Sequence, residues 1–326
     1  MSNVESVLLL IAGALVAIPG YAADSSAAYP VRPIRFIAPN LPGGPSDILA
    51  RIIGQKLSES MGQPVIIENR AGASGIIGTE MAAKSPPDGY TLVTGNNATF
   101  GANVSLFKSL PYDPVKDFSP IALVATQPNI LVVHPSLPVV SVKELIAFAK
   151  ARPGQLNYAG TGMGAAANMS AELFKSMTGT KMVGISYKSA APALTDLIAG
   201  QTQLMFATSL SVMPHIRFNR LRALGVTTAR RTRAMPELPT IAEAGVPGFE
   251  ASTWHGVFVP AGTPAAIITR LNAEINRMLQ LADVRERLEA LGAEIVGGTP
   301  KECSDHIQRE IPKWAKVIRE TGARAD

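Results

Sequence analysis

Short apolar runs of β type alternate with segments of helical period along most of this chain. Ile34 to Ala38 (IRFIA) reads as a buried strand and is followed by the turn Pro42-Gly43-Gly44-Pro45-Ser46-Asp47. A helix is predicted from Ser46 to Met61, with Leu49, Ile52, Ile53 and Leu57 on one face. Val65 to Glu68 is a second strand, and Tyr90 to Thr94 a third, launched from the Asp88-Gly89 turn. This β-α-β rhythm predicts a parallel sheet covered by helices.

Ile121 to His134 is a longer extended stretch, interrupted in the pattern by Gln127-Pro128. A helix then starts at Ser141, where Glu144 completes a capping-box spacing. The rhythm restarts with a strand at Leu156 to Ala159, a helix near Ala167 to Thr178, a strand at Val183 to Tyr187, a helix from Pro192 and a strand at Gln203 to Phe206. A second long extended stretch, Ser252 to Val259, leads into three helices. Thr263 is expected to cap the first, Asp283 with Glu286 the second, and Thr299-Pro300-Lys301-Glu302 opens the last. Two restarts joined by two long extended stretches imply an α/β protein of two lobes with two crossover strands. The expected division is residues 30–128 with 256–326 for the first lobe and 129–255 for the second.

The N-terminus stands outside this pattern. Val7 to Ile18 is an apolar run of twelve, short for a bilayer span and suited to the core of a signal peptide. Gly20 and Ala22 sit three and one before a cut after Ala22, so residues 1–22 are expected to be removed on export to the periplasm. The n-region carries Glu5 and no Lys or Arg, a departure from the usual signal.

Composition adds bounds rather than detail. A chain of 326 residues with 47% hydrophobic and 17% charged residues has core enough for two domains and does not read as disordered. Cys303 is the only cysteine, which leaves no intrachain disulfide and no lipid-modified N-terminal cysteine. The net charge of +5 is dispersed, and its densest cluster, Arg230-Arg231-Thr232-Arg233, has no interleaved aromatics, so nucleic acid is not an expected partner. A monomer is expected.

The chemistry-bearing segments are turns between strands and helices. In Pro42–Asp47 the paired glycines allow close backbone approach, and a helix start presents free N–H groups, which suits a carboxylate or phosphate. The same residues would also serve as a plain tight turn with Ser46 or Asp47 as N-cap. Tyr158 to Ala165 contains G-x-G-x-x-A, yet the acid expected about 20 residues on in a dinucleotide site is missing from Thr180-Lys181-Met182-Val183. Tyr187 to Pro192 is a third such turn, bearing hydroxyls and Lys188. The four histidines show no metal-ligand spacing, and no nucleophile motif or P-loop occurs, so neither a metal, a cofactor nor an enzyme is expected.

The segments PGGPSDILAR (42–51), GQPVIIENRAGASGIIG (62–78), PPDGYTLVTG (86–95), LPYDPVKDFSPIALVA (110–125), YKSAAPALTDLIAG (187–200) and WHGVFVPAGTPAAIITRLN (254–272) together carry a resemblance. The sequence resembles the solute-binding receptors of tripartite tricarboxylate transporters, the Bug family, over essentially the whole mature chain. The resemblance implies a type II periplasmic binding fold, a Venus flytrap that takes a small carboxylate and docks on integral membrane permease subunits. A receptor that signals to a periplasmic sensor domain is the alternative.

By the same resemblance the first lobe would grip the ligand through Asn40, Leu41, Gly43, Gly44, Ser46 and Asp47, and through Asn97 and Thr99 after the third strand. The second lobe would add Gly160, Thr161, Gly164, Ala165, Tyr187, Ser189, Ala190 and Ala207, with Trp254 or His255 near the return crossover. The chain departs from the family pattern at Asn40, commonly aromatic, near Ala165, commonly a hydroxyl residue, at Ser189, commonly Gly, and at Ala207, commonly an acid. With Asp47 the only obvious acid among these positions, a di- or tricarboxylate, or a hydroxy or aromatic acid, is expected in preference to an amino acid.

Overall fold

The computed structural model describes residues 29–162, 164–187, 189–232 and 235–324. The expected export signal, Met163 and Lys188 lie outside the described residues.

The first lobe is built on β1 (Ile34–Ala38), which lies between β2 (Val65–Asn69) and β3 (Thr91–Asn96), both parallel to it. The apolar face of α1 (Pro45–Met61) packs Leu49, Ile52, Ile53 and Leu57 onto this sheet beside Ile34 and Phe36. A short helix α2 (Ile76–Ala83) connects β2 to β3, and a wide helical turn over Ala98–Ala102 runs into α3 (Asn103–Leu106).

β4 (Phe118–Val133) then serves both lobes. Its first part, from Phe118 to Pro128, pairs antiparallel with β9 (Ser252–Pro260), which in turn pairs with β3. From Asn129 to Val133 it pairs with β7 (Leu204–Thr208) on one side, and from Ile130 with β8 (Arg222–Val226) on the other. The second lobe continues through β5 (Asn157–Gly160), parallel to both β7 and β6 (Val183–Ser186). Helices α4 (Val142–Ala151), α5 (Ala166–Thr178), α6 (Ala190–Ile198) and α7 (Ser209–Arg217) cover that sheet. The result is the α/β, two-lobed binding-protein fold, with β4 and β9 as crossover strands.

The chain returns through α8 (Ala265–Met278), α9 (Ala282–Ala290), β10 (Glu294–Gly297) on the edge of β4, and α10 (Pro300–Thr321). Cys303 and Ile307 of α10 pack with Phe100, Trp254 and Phe258 of the first lobe. Trp314, Val317 and Ile318, further along the same helix, join Phe174 and Phe206 in the second-lobe core. The last helix is therefore a third link between lobes, which the alternation of strands and helices did not reveal.

Several local expectations change. Gln127-Pro128 does not break β4; the ladder exchanges partners there instead, and Pro128 still faces Ser252 in register. Glu144 reaches back to the Val140 N–H at 2.7 Å rather than to that of Ser141, whose hydroxyl accepts from Glu144 N–H at 3.2 Å. Thr263 does not cap α8: Pro264 takes that place, and the threonine hydroxyl donates to the Pro260 carbonyl at 2.7 Å, closing the turn. Asp283 lies inside the first turn of α9 and pairs with Lys56 at 2.8 Å, because Leu281 occupies the cap. At α10 the capping box forms as its sequence predicts, between Thr299 and Glu302.

Candidate functional site

The parallel strands β1, β3, β5 and β6 all end on the loops that the sequence singles out, at the carboxyl edge where open α/β sheets bind ligands. After β1 the chain turns through Asn40, Leu41, Gly43 and Gly44. Gly43 takes φ +80°, a conformation that other L-residues rarely adopt. Gly44 is the N-cap of α1 and contributes no side-chain acceptor, so free N–H groups remain in the first turn. Leu41 is 72% exposed at the tip of the loop.

Asp47 does not face open space. Its Oδ2 accepts from Gly43 N–H at 2.8 Å and from Arg51 Nε at 3.1 Å, while Oδ1 accepts from Asn69 Nδ2 at 2.9 Å. Burial raises the pKa of this carboxyl, but the hydrogen bonds from Arg51, Gly43 and Asn69 outweigh that and hold it below the usual aspartate range. Asp47 therefore shapes the loop from beneath and leaves no free carboxylate oxygen for a ligand amine. Ser46, also buried, holds its Oγ 3.3 Å from His255 Nδ1 and 3.4 Å from Asn96 Nδ2.

The loop after β3 is organised by Asn96, whose Oδ1 accepts from Ala98 N–H at 2.9 Å and Thr99 N–H at 3.2 Å. Thr99 Oγ1 accepts from Asn96 N–H at 3.2 Å in return. Asn97 is turned the other way: its Nδ2 donates to the Ser252 carbonyl at 2.8 Å, and its Oδ1 accepts from Trp254 N–H at 2.9 Å. The Asn97 side chain is thus committed to the crossover and the Thr99 hydroxyl to its own loop, and Trp254 is 0% exposed.

In the second lobe, Gly160 ends β5 and its carbonyl accepts from Tyr187 N–H at 2.8 Å. Thr161 is half-buried beside Gly162, and Ala165 is the N-cap of α5 without a side-chain acceptor. Ser189 and Ala190 are exposed at the start of α6, where the Ser189 hydroxyl makes no cap bond. Tyr187 donates its hydroxyl to Asp196 Oδ2 at 2.8 Å. Ala207 lies elsewhere: it packs in the second-lobe core with Ala193 and Leu197. Three helix starts, those of α1, α5 and α6, therefore sit at the carboxyl ends of strands with no side chain capping them.

Two contacts join the lobes across this region. A Cβ on Gly164 would come 3.1 Å from Ala98 Cβ and 2.9 Å from Asn103 Oδ1, and one on Gly292 would come 2.6 Å from Ser209 Oγ. Asn103 was absent from the sequence reading. It is fully buried, its Nδ2 donates to the Ser74 carbonyl at 3.1 Å, and its Oδ1 has no partner. Asn40 Oδ1, Gln127 Oε1, Asn129 Oδ1 and His255 Nε2 are likewise buried without partners. Beside the Gly43 loop a cavity of ≈ 130 Å³ is lined from the first lobe by Gly43, Pro45, Gln127 and His255 and from the second by Thr208 and Leu210. Burial pushes the His255 imidazole down from 6.5 to about 4, so it is neutral at pH 7. The arrangement offers backbone N–H groups and neutral polar atoms between two lobes, which is the chemistry of anion capture.

Comparison with known proteins shows the family of the chain. The family model for the tripartite tricarboxylate transporter family receptor matches residues 49–323. The chain is 42% identical over 319 residues to Protein BugT of Bordetella pertussis (strain Tohama I), covering 97% of this chain and 98% of that protein. It is similar to the structure of R. palustris Rpa4515 with adipate, with a TM-score of 0.80 and 40% identity, covering 90% of this chain and 98% of that one. It is also similar to MatC from Rhodopseudomonas palustris with bound malate, with a TM-score of 0.77 and 34% identity, covering 89% of this chain and all of that one.

Proposed function

The chain belongs to the tripartite tricarboxylate transporter receptor family, and on that premise we propose that it captures a small, amine-free carboxylate between its lobes and delivers it to the integral membrane permease subunits of a tripartite transporter. The family is one of periplasmic solute-binding receptors, not of enzymes. The observation that carries the reading is the Asn40–Ser46 loop: a glycine-built turn, braced by Asp47, that leaves the first N–H groups of α1 without a side-chain acceptor. Free N–H groups at a helix start favour an anion, and the uncapped starts of α5 and α6 supply the same chemistry from the opposite lobe.

The absence of a free acid in the candidate loops supports an amine-free ligand, because a buried ammonium needs a carboxylate partner and both oxygens of Asp47 are occupied. The similar proteins Rpa4515 and MatC are described with adipate and malate, both amine-free. In this reading Leu41, Gly43, Gly44, Thr161, Gly164, Ala165, Ser189 and Ala190 act mainly through backbone groups. Asn97, Thr99, Tyr187 and Trp254 hold the loops in place. The hinge lies where β4 exchanges partners at Pro128 and Asn129 and where β9 begins at Ser252, so that residues 129–251 move against the rest. Export with cleavage near Ala22 places the receptor in the periplasm.

Calorimetric titration with adipate, malate, aspartate and glutamate tests this. Binding of at least one amine-free acid is expected, and binding confined to the amino acids would refute it.

A further inference from the structure

The second lobe gathers positive charge at one end. β4 finishes at Val133, where β7 begins at Leu204 and β8 at Arg222, and β5 and β6 begin beside them, so this end lies opposite the loops that face the cleft. Backbone bonds tie its segments together: His134 N–H to the Gln203 carbonyl at 3.0 Å, Gln203 N–H to Asn157 at 2.9 Å and Gly154 N–H to Lys181 at 2.8 Å. Arg222 Nη1 adds a bond to the Val139 carbonyl at 2.8 Å.

The segments at this end are residues 134–141, 150–157, 178–183, 198–204 and 214–222. They hold Lys150, Arg152, Lys181, Arg217, Arg220 and Arg222, and no Asp or Glu. Those six charges exceed the net +5 of the entire chain, so the rest of the molecule is on balance acidic by one. Arg222 is spent on the Leu137 and Val139 carbonyls. The other five are exposed, and none is ion-paired with an acid among the described residues. Adjoining acids are engaged elsewhere. Glu144 accepts from Val140 N–H and Asp196 from the Tyr187 hydroxyl, while Glu320 of α10 accepts from Ser176 with Lys316 3.9 Å away.

Amid these cations stands Phe218, 77% exposed and the most exposed large apolar side chain among the described residues. The backbone fixes it there. Phe218 N–H donates to the Pro214 carbonyl at 3.2 Å, Asn219 takes φ +53°, and Arg220 N–H returns to the His215 carbonyl at 2.8 Å, closing the end of α7. Val140, next to the carbonyl that Arg222 holds, is also strongly exposed. A lone exposed apolar residue needs no explanation, but one held on a closed turn between Arg217 and Arg220 does.

The spread of charge narrows the choice of partner. From β8 to β6 the sheet crosses four strand spacings, about 19 Å at ~4.8 Å each, so a small anion would reach only a part of the set. An extended anionic surface reaches all of it. An acidic protein would need a matching pocket for Phe218, whereas a bilayer accepts an aromatic side chain at headgroup level anywhere on its surface. Long cationic side chains without fixed partners adapt to headgroups that move laterally. We propose that this end of the second lobe is a contact surface for an anionic phospholipid bilayer, with Phe218 as the apolar anchor and Arg217 and Arg220 as its flanking cations. The receptor reading supplies the setting, the membrane that carries the permease. Contact at the end opposite the cleft leaves the ligand loops free.

Flotation of the mature chain with vesicles tests it, using phosphatidylcholine alone and phosphatidylcholine mixed with phosphatidylglycerol. Binding to the anionic vesicles should exceed binding to the neutral ones about tenfold or more at about 0.05 M salt, and should fall steeply by about 0.5 M. Arg217→Gln with Arg220→Gln should weaken it about tenfold, and Phe218→Ser, which keeps the charge, about threefold or more. Arg230→Gln with Arg285→Gln removes as many exposed charges elsewhere and should leave it within about twofold of wild type. Wild-type urea midpoints would show that the variants are folded. Equal binding to both vesicle types, or none to either, overturns the proposal. An equal loss in the Arg230 and Arg285 variant overturns the placement, because net charge alone would then be responsible. Full binding by Phe218→Ser removes the anchor. Titration with the carboxylic acids is independent of vesicles, so failure there would bring down the receptor reading and not this surface.

Discussion

The indole N–H of Trp254 donates to Glu310 Oε2 at 3.2 Å, tying the return crossover strand to the last helix. The same oxygen accepts from Trp314 Nε1 at 2.7 Å and from Asn97 Nδ2 at 3.4 Å, while Oε1 accepts from Lys313 Nζ at 2.9 Å. One buried carboxylate thus gathers both tryptophans of the chain and the loop after β3. Burial pulls the Glu310 pKa upward, and Lys313, Trp314 and His306 outweigh it, so the group stays ionised below its usual value. Because α10 packs into the cores of both lobes, this carboxylate stands where the lobes meet.

Replacing Glu310 with Leu would strand two indole N–H groups and remove one of the two acceptors of Asn97 Nδ2 in a buried site. Unfolding in urea should show a loss of about 3 kcal/mol or more, and Glu310→Gln, which keeps one acceptor oxygen, should lose less. Equal stability of Glu310→Leu and wild type would mean that the bonds are replaced by water.

Gly164 sits against Ala98 and Asn103 of the opposite lobe, with no room for a larger side chain. Gly164→Val should wedge the lobes apart. In saturating ligand, solution scattering should give a larger radius of gyration than wild type, and affinity should fall about tenfold or more. An unchanged radius and affinity would show that this contact is no part of the ligand-bound form.

Asp47→Ala removes three hydrogen bonds that brace the Gly43 turn. Carboxylate affinity should drop about tenfold, with a stability loss of about 1–3 kcal/mol, although Asp47 itself touches no ligand. Full affinity in a destabilised protein would separate the brace from binding.

How far the sequence foretold this site depends on the range of the interactions concerned. The β1–α1 turn was legible because Gly43, Gly44 and the apolar spacing of Leu49, Ile52 and Leu57 are local signals, as is the Thr299–Glu302 capping box. Thr263 and Asp283 misled because a threonine or aspartate near a helix start has other options, and Pro260 and Lys56 took them up. Ala207, Asn97 and Trp254 lie near the right place in the chain but turn their side chains into cores or the crossover, a choice that strand pairing makes. The Glu310 network and the buried Asn103 join residues up to 213 positions apart in one chain, so no local pattern announces them.

His255 should also leave a signature in the acid stability of the protein. Its ring is buried and its pKa falls from 6.5 to about 4, because desolvation penalises the charged form. Among the described residues, no other one lining its cavity is titratable. In the unfolded chain the imidazole takes up a proton near pH 6.5, whereas in the folded protein it resists until about pH 4. The stability that depends on keeping it neutral is therefore complete above pH 6.5 and is lost progressively as the pH falls from there toward 4. At roughly 1.4 kcal/mol per unit of pKa difference, the full loss is about 3 kcal/mol. His306 and the carboxylates held at low pKa also destabilise the fold on acidification, but they are common to wild type and His255→Phe and cancel in the comparison. Urea unfolding of both proteins from about pH 7 to pH 4.5 should show the wild type losing about 2–3 kcal/mol more than the variant over that interval. Parallel stability curves would mean that water reaches the ring and that the cavity around His255 is not dry.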